Sequence, residues 1–366
     1  MRITQLLPSV HSGDAVGDSA FEIHKSLQEH GIESIILGVN IDEHLKDLVV
    51  DFNKFSRYDS PDTTHIYHFA VPSPITYVFK EAKGRKIIIY HNITPPHFFE
   101  GFSEELVAIA TTGRYEMKLL AEVTDLGLAD SEYNRLELVQ YGYGKTGVLP
   151  ILLDFSKYTT PEDQTILDQY DDGKVNILFV GRVTPNKKHE DLIKTFYVYK
   201  RFVNKDSRLL LVGKYNEEEA YVKLLQALIA ELGVADVHCS GHVTQQELNA
   251  FYKISDVLLC MSEHEGFFVP AVESFYFQLP VLAYNCTAVP YTMGKAGILI
   301  NEKRYDEIAE MIQLMVEDAS FRQAVINEQS TRLKHFQKEK IIATLFEYLG
   351  ITDKTTFVKT SMKSFS

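Results

Sequence analysis

Three cysteines, Cys239, Cys260 and Cys286, are all that 366 residues contain. Scattered through apolar, strand-like stretches, they give neither a disulfide framework nor a zinc-ligand spacing, and they read as small core residues. Runs of about 18 apolar residues are also missing, so no segment is expected to cross a bilayer as a helix. The opening, Met1 to Pro8, is too short and too soon interrupted for a secretory leader, which leads us to expect a cytoplasmic chain. Positive charge is scarce as well: 37 Lys and Arg face 50 Asp and Glu, a formal net charge of −13. The deficit runs through both halves, with 13 basic against 21 acidic residues in 1–152. That balance argues against nucleic acid as a partner and against a broad basic patch for anionic lipid. The tail is the exception, with Lys354, Lys359 and Lys363 against Asp353 and with Phe357 and Phe365 between them. It reads first as a flexible end and second as a weak contact with a partner or with the inner face of a membrane.

The chain does have material for two cores. Its length exceeds what one core usually serves, and 45% apolar with 24% charged residues is an ordinary globular composition. Strand and helix patterns alternate, which argues for a parallel sheet in each half. In the first half the strand candidates are Ile3 to Pro8, Ile35 to Val39, Thr64 to Phe69, Lys86 to Tyr90 and Leu126 to Ala129, with Val148 to Ile151 as the last. In the second they are Val175 to Val180, Arg208 to Val212, Val237 to Ser240, Asp256 to Met261 and Leu279 to Ala283. Thr244 and Glu247 form a capping box at the start of a helix. The expected division is 1–155, then 156–340 with a polar linker at about 154–174, then a terminal helix and tail at 341–366 that packs back on the first domain.

The densest stretch is Ser262-Glu263-His264-Glu265-Gly266-Phe267-Phe268-Val269-Pro270, running on to Glu273. An apolar strand precedes it, and Pro270 suits the first turn of a helix. Glu265 is thus placed on the loop and Glu273 about one turn inside the helix, leaning back toward its N-terminus, where N–H groups lack partners. Carboxylates beside free N–H groups suit a ligand with hydroxyls and phosphate. A second motif, Gly181-Arg182-Val183-Thr184-Pro185-Asn186-Lys187-Lys188, also follows an apolar strand and precedes a helix.

The two motifs, in this order and spacing, resemble those of the retaining glycosyltransferases of family 4, the glycosyl transferases group 1 of GT-B fold. The resemblance covers most of the second half and thins in the first. It implies two Rossmann-like parallel-sheet domains facing each other across a cleft, an α/β architecture. It also implies that Arg182 and Lys187 grip the donor diphosphate, that Glu273 takes the ribose hydroxyls and that Glu265 takes donor-sugar hydroxyls, with the backbone of Gly266, Phe267, Phe268 and Val269 beside them. Phe268 stands where relatives often have a small residue, so a pocket of different shape is expected. Gly213 ends a strand on the same rim, and Lys214 and His242 are placed near the nucleotide base. In the first half, His91 ends a strand as a family histidine does, facing the donor sugar; His68 is a weaker candidate beneath the acceptor site. Gly17 lies in a loop that departs from the paired glycines of the family, and Asp14 and Asp18 there suit acceptor hydroxyls better than phosphate. Arg114 and Glu132 are further cleft candidates. Each has a plainer reading: solvated charge for Arg182 and Lys187, a helix-end or turn cap for Glu273 and Glu265, a structural strand-end histidine for His91.

The resemblance leads us to expect a retaining hexosyltransferase that moves mannose, glucose or a similar sugar from a UDP- or GDP-sugar to a carbohydrate or glycoconjugate acceptor. The site loops carry no Asp-x-Asp motif, so neither metal nor cofactor beyond the sugar nucleotide is expected. Alternatives are a nucleotide-sugar epimerase or glycan phosphorylase on the same fold, or a non-catalytic sugar-nucleotide-binding scaffold.

Overall fold

The computed structural model describes residues 1–11 and 13–351, so Ser12 and the expected tail contacts lie outside the described residues. The first sheet holds β1 (Arg2–Val10), β2 (Glu33–Ile41), β3 (Val50–Asp51), β4 (Thr63–Phe69), β5 (Arg85–Tyr90), β6 (Leu126–Ala129) and β7 (Thr146–Val148), in the order β3-β2-β1-β4-β5-β6-β7. The second holds β8 (Val175–Val180), β9 (Ser207–Val212), β10 (Val237–Gly241), β11 (Val257–Cys260), β12 (Val281–Tyr284) and β13 (Ile298–Ile300), in the order β10-β9-β8-β11-β12-β13. All pairings are parallel. The order reverses between β1 and β4 and between β8 and β11, and ligands of such sheets bind beyond the strand ends at that point.

Alternation explains why both faces are buried. Along β4 and β5, Tyr67 and Ile88 join one apolar cluster while Ile66 and Ile87 join another. The second cluster is completed from far away in sequence: helix Lys338–Leu349 lays Ile341, Ile342, Leu345 and Phe346 against it. Arg85 donates to the carbonyls of Tyr348 (3.0 Å) and Leu349 (3.3 Å), satisfying acceptors at the C-terminal end of that helix.

Several element ends differ from the sequence reading. β1 continues past Pro8 to Val10, because pairing with β4 stops at Leu6 while β2 continues alongside. Val148 to Ile151 is not a full strand: β7 ends at Val148, and Pro150 has no N–H to extend a ladder. β3 and β13, short edge strands, carried too few residues to show alternation. The capping box is present, with Glu247 N–H donating to Thr244 Oγ1 (3.3 Å) and Thr244 N–H to Glu247 Oε2 (2.6 Å).

Candidate active site

Two loops at the carboxyl ends of β8 and β11 are stitched together by one residue, Asn186. The carbonyl of Asn186 accepts from the Glu263 N–H (2.8 Å), and its amide donates to the His264 carbonyl (3.1 Å). This register brings Lys187 onto Glu265, where Nζ lies 2.6 Å from each carboxylate oxygen. Lys188 instead sits at a left-handed φ of 54° with its ammonium near Glu190 (3.5 Å) and Glu263 (3.3 Å). Arg182 is exposed and has no acceptor among the described residues. A cavity of about 270 Å³ takes Arg182, Thr184, Asn186, Lys187, Glu265 and Gly266 as one wall, and the strand-end segment from His91 as the other.

The first domain approaches closely. A methyl group built on Gly266 would stand 2.6 Å from Asn92 Cβ and 3.0 Å from the His91 carbonyl, so this glycine is required by backbone contact across the cleft. Ser131 Oγ donates to the Gly266 carbonyl (2.9 Å), and His264 Nε2 meets Asn92 Oδ1 at 2.7 Å. Asn92 itself has φ 79° and donates to Asn134 Oδ1 (2.8 Å) and Glu137 Oε2 (3.1 Å). Glu137 also holds Arg114 at 2.7 Å, which accounts for that arginine as a buttress of the strand-end segment.

His91 lies here, but its ring is committed inward. Nδ1 meets Asp130 Oδ2 at 2.9 Å and Nε2 meets His68 Nδ1 at 3.0 Å, and the side chain is only 2% exposed. Gln5 donates to the Ala20 carbonyl, so its Oε1 faces His68, which carries its proton on Nε2; His68 Nδ1 then accepts, and His91 donates from Nε2. Burial, then the neighbouring His91, holds the His68 imidazole well below its usual pKa. Burial also pushes Asp130 up, against the pull of His91. What His91 offers the cavity is main chain.

Other expected residues fall outside this cavity. Glu273 is buried, and both its oxygens are engaged, by Tyr158 OH (3.0 Å) and Tyr252 OH (2.5 Å). Burial raises its pKa, and the two hydroxyls pull the other way. Phe268 caps helix Val269–Tyr276 at φ 76° with its ring in the core of the second domain, and it does not line the cavity. Phe267 is buried against Phe336, and Val269 begins the helix. Gly213 is explained by packing, since a methyl there would fall 2.0 Å from the Gly181 carbonyl. Gly17 spends its N–H on Asp14, the helix cap, and Asp18 pairs with Lys157. His242 is exposed beyond the edge strand β10. Glu132 pairs with Arg135. Sequence reasoning passed over Asn92, Thr94 and His264, though Asn92 and His264 adjoin residues it selected.

Two parallel-sheet domains meeting along their carboxyl edges, with lysine, arginine and carboxylate at the seam, have the architecture of the GT-B fold. Residues 164–332 match the model of the family described as glycosyl transferases group 1. It is 24% identical over 237 residues to O-antigen chain mannosyltransferase B of Escherichia coli, covering 62% of this chain and 61% of that protein. It is 31% identical over 150 residues to GDP-mannose:cellobiosyl-diphosphopolyprenol alpha-mannosyltransferase of Xanthomonas campestris, covering 39% and 38%. The chain thus spans less than two thirds of either relative. Anabaena HepE, solved in complex with UDP-glucose, shares the fold with a TM-score of 0.76 at 19% identity, covering 96% of this chain and 100% of that one. Among the described residues no helix is long and apolar enough to cross a membrane.

Proposed function

We propose that this protein is a retaining, metal-independent hexosyltransferase of polysaccharide or glycoconjugate assembly, with mannose from GDP-mannose as the first donor to test and UDP-glucose as the second. The observation that carries the reading is the pairing of Lys187 with Glu265 beside unpartnered Arg182 at the domain seam. The mannosyltransferase relatives support the sugar, and the X. campestris relative's name supports the nucleotide. Breaking the bond between anomeric carbon and phosphate builds negative charge on the departing diphosphate, so catalysis gains most where that charge is met. Lys187 and Arg182 would meet it once the donor displaces the lysine from Glu265, leaving that carboxylate for sugar hydroxyls. Glu273 would take the ribose hydroxyls by exchanging its tyrosine partners. The acceptor attacks on the face the diphosphate leaves, and a donor phosphate oxygen takes its proton, so no covalent enzyme intermediate is needed. The closed seam excludes water and favours transfer over hydrolysis.

The test is nucleoside-diphosphate release across UDP-, GDP- and ADP-sugars, with and without sugar acceptors. We expect release from GDP-mannose that rises with acceptor, and a loss of about a hundredfold or more in kcat for Lys187→Ala. Unchanged activity in that variant would remove the diphosphate assignment. Binding without turnover would favour the scaffold, and an epimerised free product the epimerase.

A further inference from the structure

The cavity holds a histidine with a free ring nitrogen, and it is His264. Its protonation pattern follows from its neighbours. Asn92 spends its amide N–H groups on Asn134 and Glu137, so Oδ1 is the atom turned to His264. The bond at 2.7 Å therefore takes its proton from His264 Nε2, and the neutral ring keeps its lone pair on Nδ1. That nitrogen has no hydrogen-bond partner among the described residues, and it is not among the side-chain atoms sealed from solvent without one. The ring is gripped between the first domain's Phe98 and Tyr133, with centroids at 5.8 and 5.9 Å. Burial, then Arg114, Lys187 and His97, pull its pKa down to about 3, so the lone pair is available at any working pH.

We propose that His264 Nδ1 accepts a hydrogen bond from a hydroxyl of the transferred sugar, making His264 a sugar-orienting residue beside Glu265. This rests on the reading of the site as a sugar-nucleotide cavity. Glu265, in contact with Lys187, attracts hydroxyl hydrogens by charge; a neutral acceptor next to it selects a hydroxyl by direction alone. No proton is transferred at His264, and the diphosphate keeps the role of accepting the acceptor's proton. Because the same ring joins Asn92, the acceptor is aligned only when the domains are together, so the seam and the sugar subsite form at once.

Two substitutions separate the ring's nitrogens. The amide of His264→Gln reaches as Nε2 does and keeps the bond to Asn92, but nothing replaces Nδ1. His264→Asn places an amide near Nδ1 and falls short of Asn92. Affinities for the sugar nucleotide and for the free nucleoside diphosphate are measured for each protein, with a panel of monodeoxy donor analogues. Loss of one directed hydrogen bond should weaken sugar-nucleotide binding about tenfold in the Gln variant, with no change for the nucleoside diphosphate and a smaller loss in the Asn variant. One deoxy donor should bind wild type and Gln variant equally. Equal loss for both ligands, or no loss, or no analogue that equalises the two proteins, would overturn the assignment and leave His264 a seam contact. Since the readout is binding, it does not need turnover; a wild type that binds sugar nucleotide yet never transfers would defeat the transferase reading alone.

Discussion

Glu273 shows what it costs to keep a carboxylate inside the fold. It is buried, and its two tyrosine partners offset only part of the desolvation, so its pKa stays above the ordinary value of 4.5. A folded-state pKa above the unfolded one means that the charged form is disfavoured in the fold. The contribution to stability is therefore present at low pH and is lost as pH rises from about 4.5 through the raised value. Glu273→Gln should accordingly raise the unfolding free energy by about 1 kcal/mol at pH 8 and leave it unchanged at pH 4, while weakening nucleotide binding. Urea melts at the two pH values check the first part; an increase at pH 4 as large as at pH 8 would show that packing, not charge, is responsible.

At the scale of elements, the turn from Pro185 into helix His189–Val198 combines two unfavourable local choices. Lys188 occupies a left-handed conformation that suits glycine, at a cost of about 1 kcal/mol. His189 is fully buried, with no partner on either ring nitrogen, edge-on to Phe179 at 4.7 Å. Burial, with Lys187 nearby, pulls its pKa down to about 3 from 6.5. The unfolded chain then binds the proton that the fold refuses, so stability falls as pH drops below 6.5 toward 3. Between pH 7 and 5 this amounts to about 2 kcal/mol, a loss that His189→Met should abolish in paired denaturant titrations. These features hold Lys187 at Glu265, and the helix signal in the sequence was legible because Leu192, Ile193 and Phe196 repeat at helical spacing. The left-handed turn was not legible, because nothing about a lysine announces a positive φ.

Closure belongs to the whole molecule. The seam depends on Gly266 admitting the His91–Asn92 backbone, and on Ser131 and Asn92 reaching across. Gly266→Ala should force the domains apart by tenths of an ångström, lowering transfer at least about tenfold while the thermal midpoint moves by only a few degrees. Retained transfer would show that closure tolerates the methyl group. Helix Lys338–Leu349 meanwhile ties the end of the described chain to the first domain's core, so the second domain is anchored at two crossings.

The sequence by itself determined the class of fold and the two motif loops, because apolar alternation and strand-loop-helix punctuation are local signals that survive without partners. Only the tertiary structure decided how those residues are used. It turned both nitrogens of His91 inward and left His264 with a free one; it gave Glu273 two tyrosines from elsewhere in the chain; it put Phe268 in the core. Each of these is set by hydrogen-bond partners and packing neighbours tens to hundreds of residues away, and a ring nitrogen or carboxylate is available for chemistry only when those distant groups leave it unpaired.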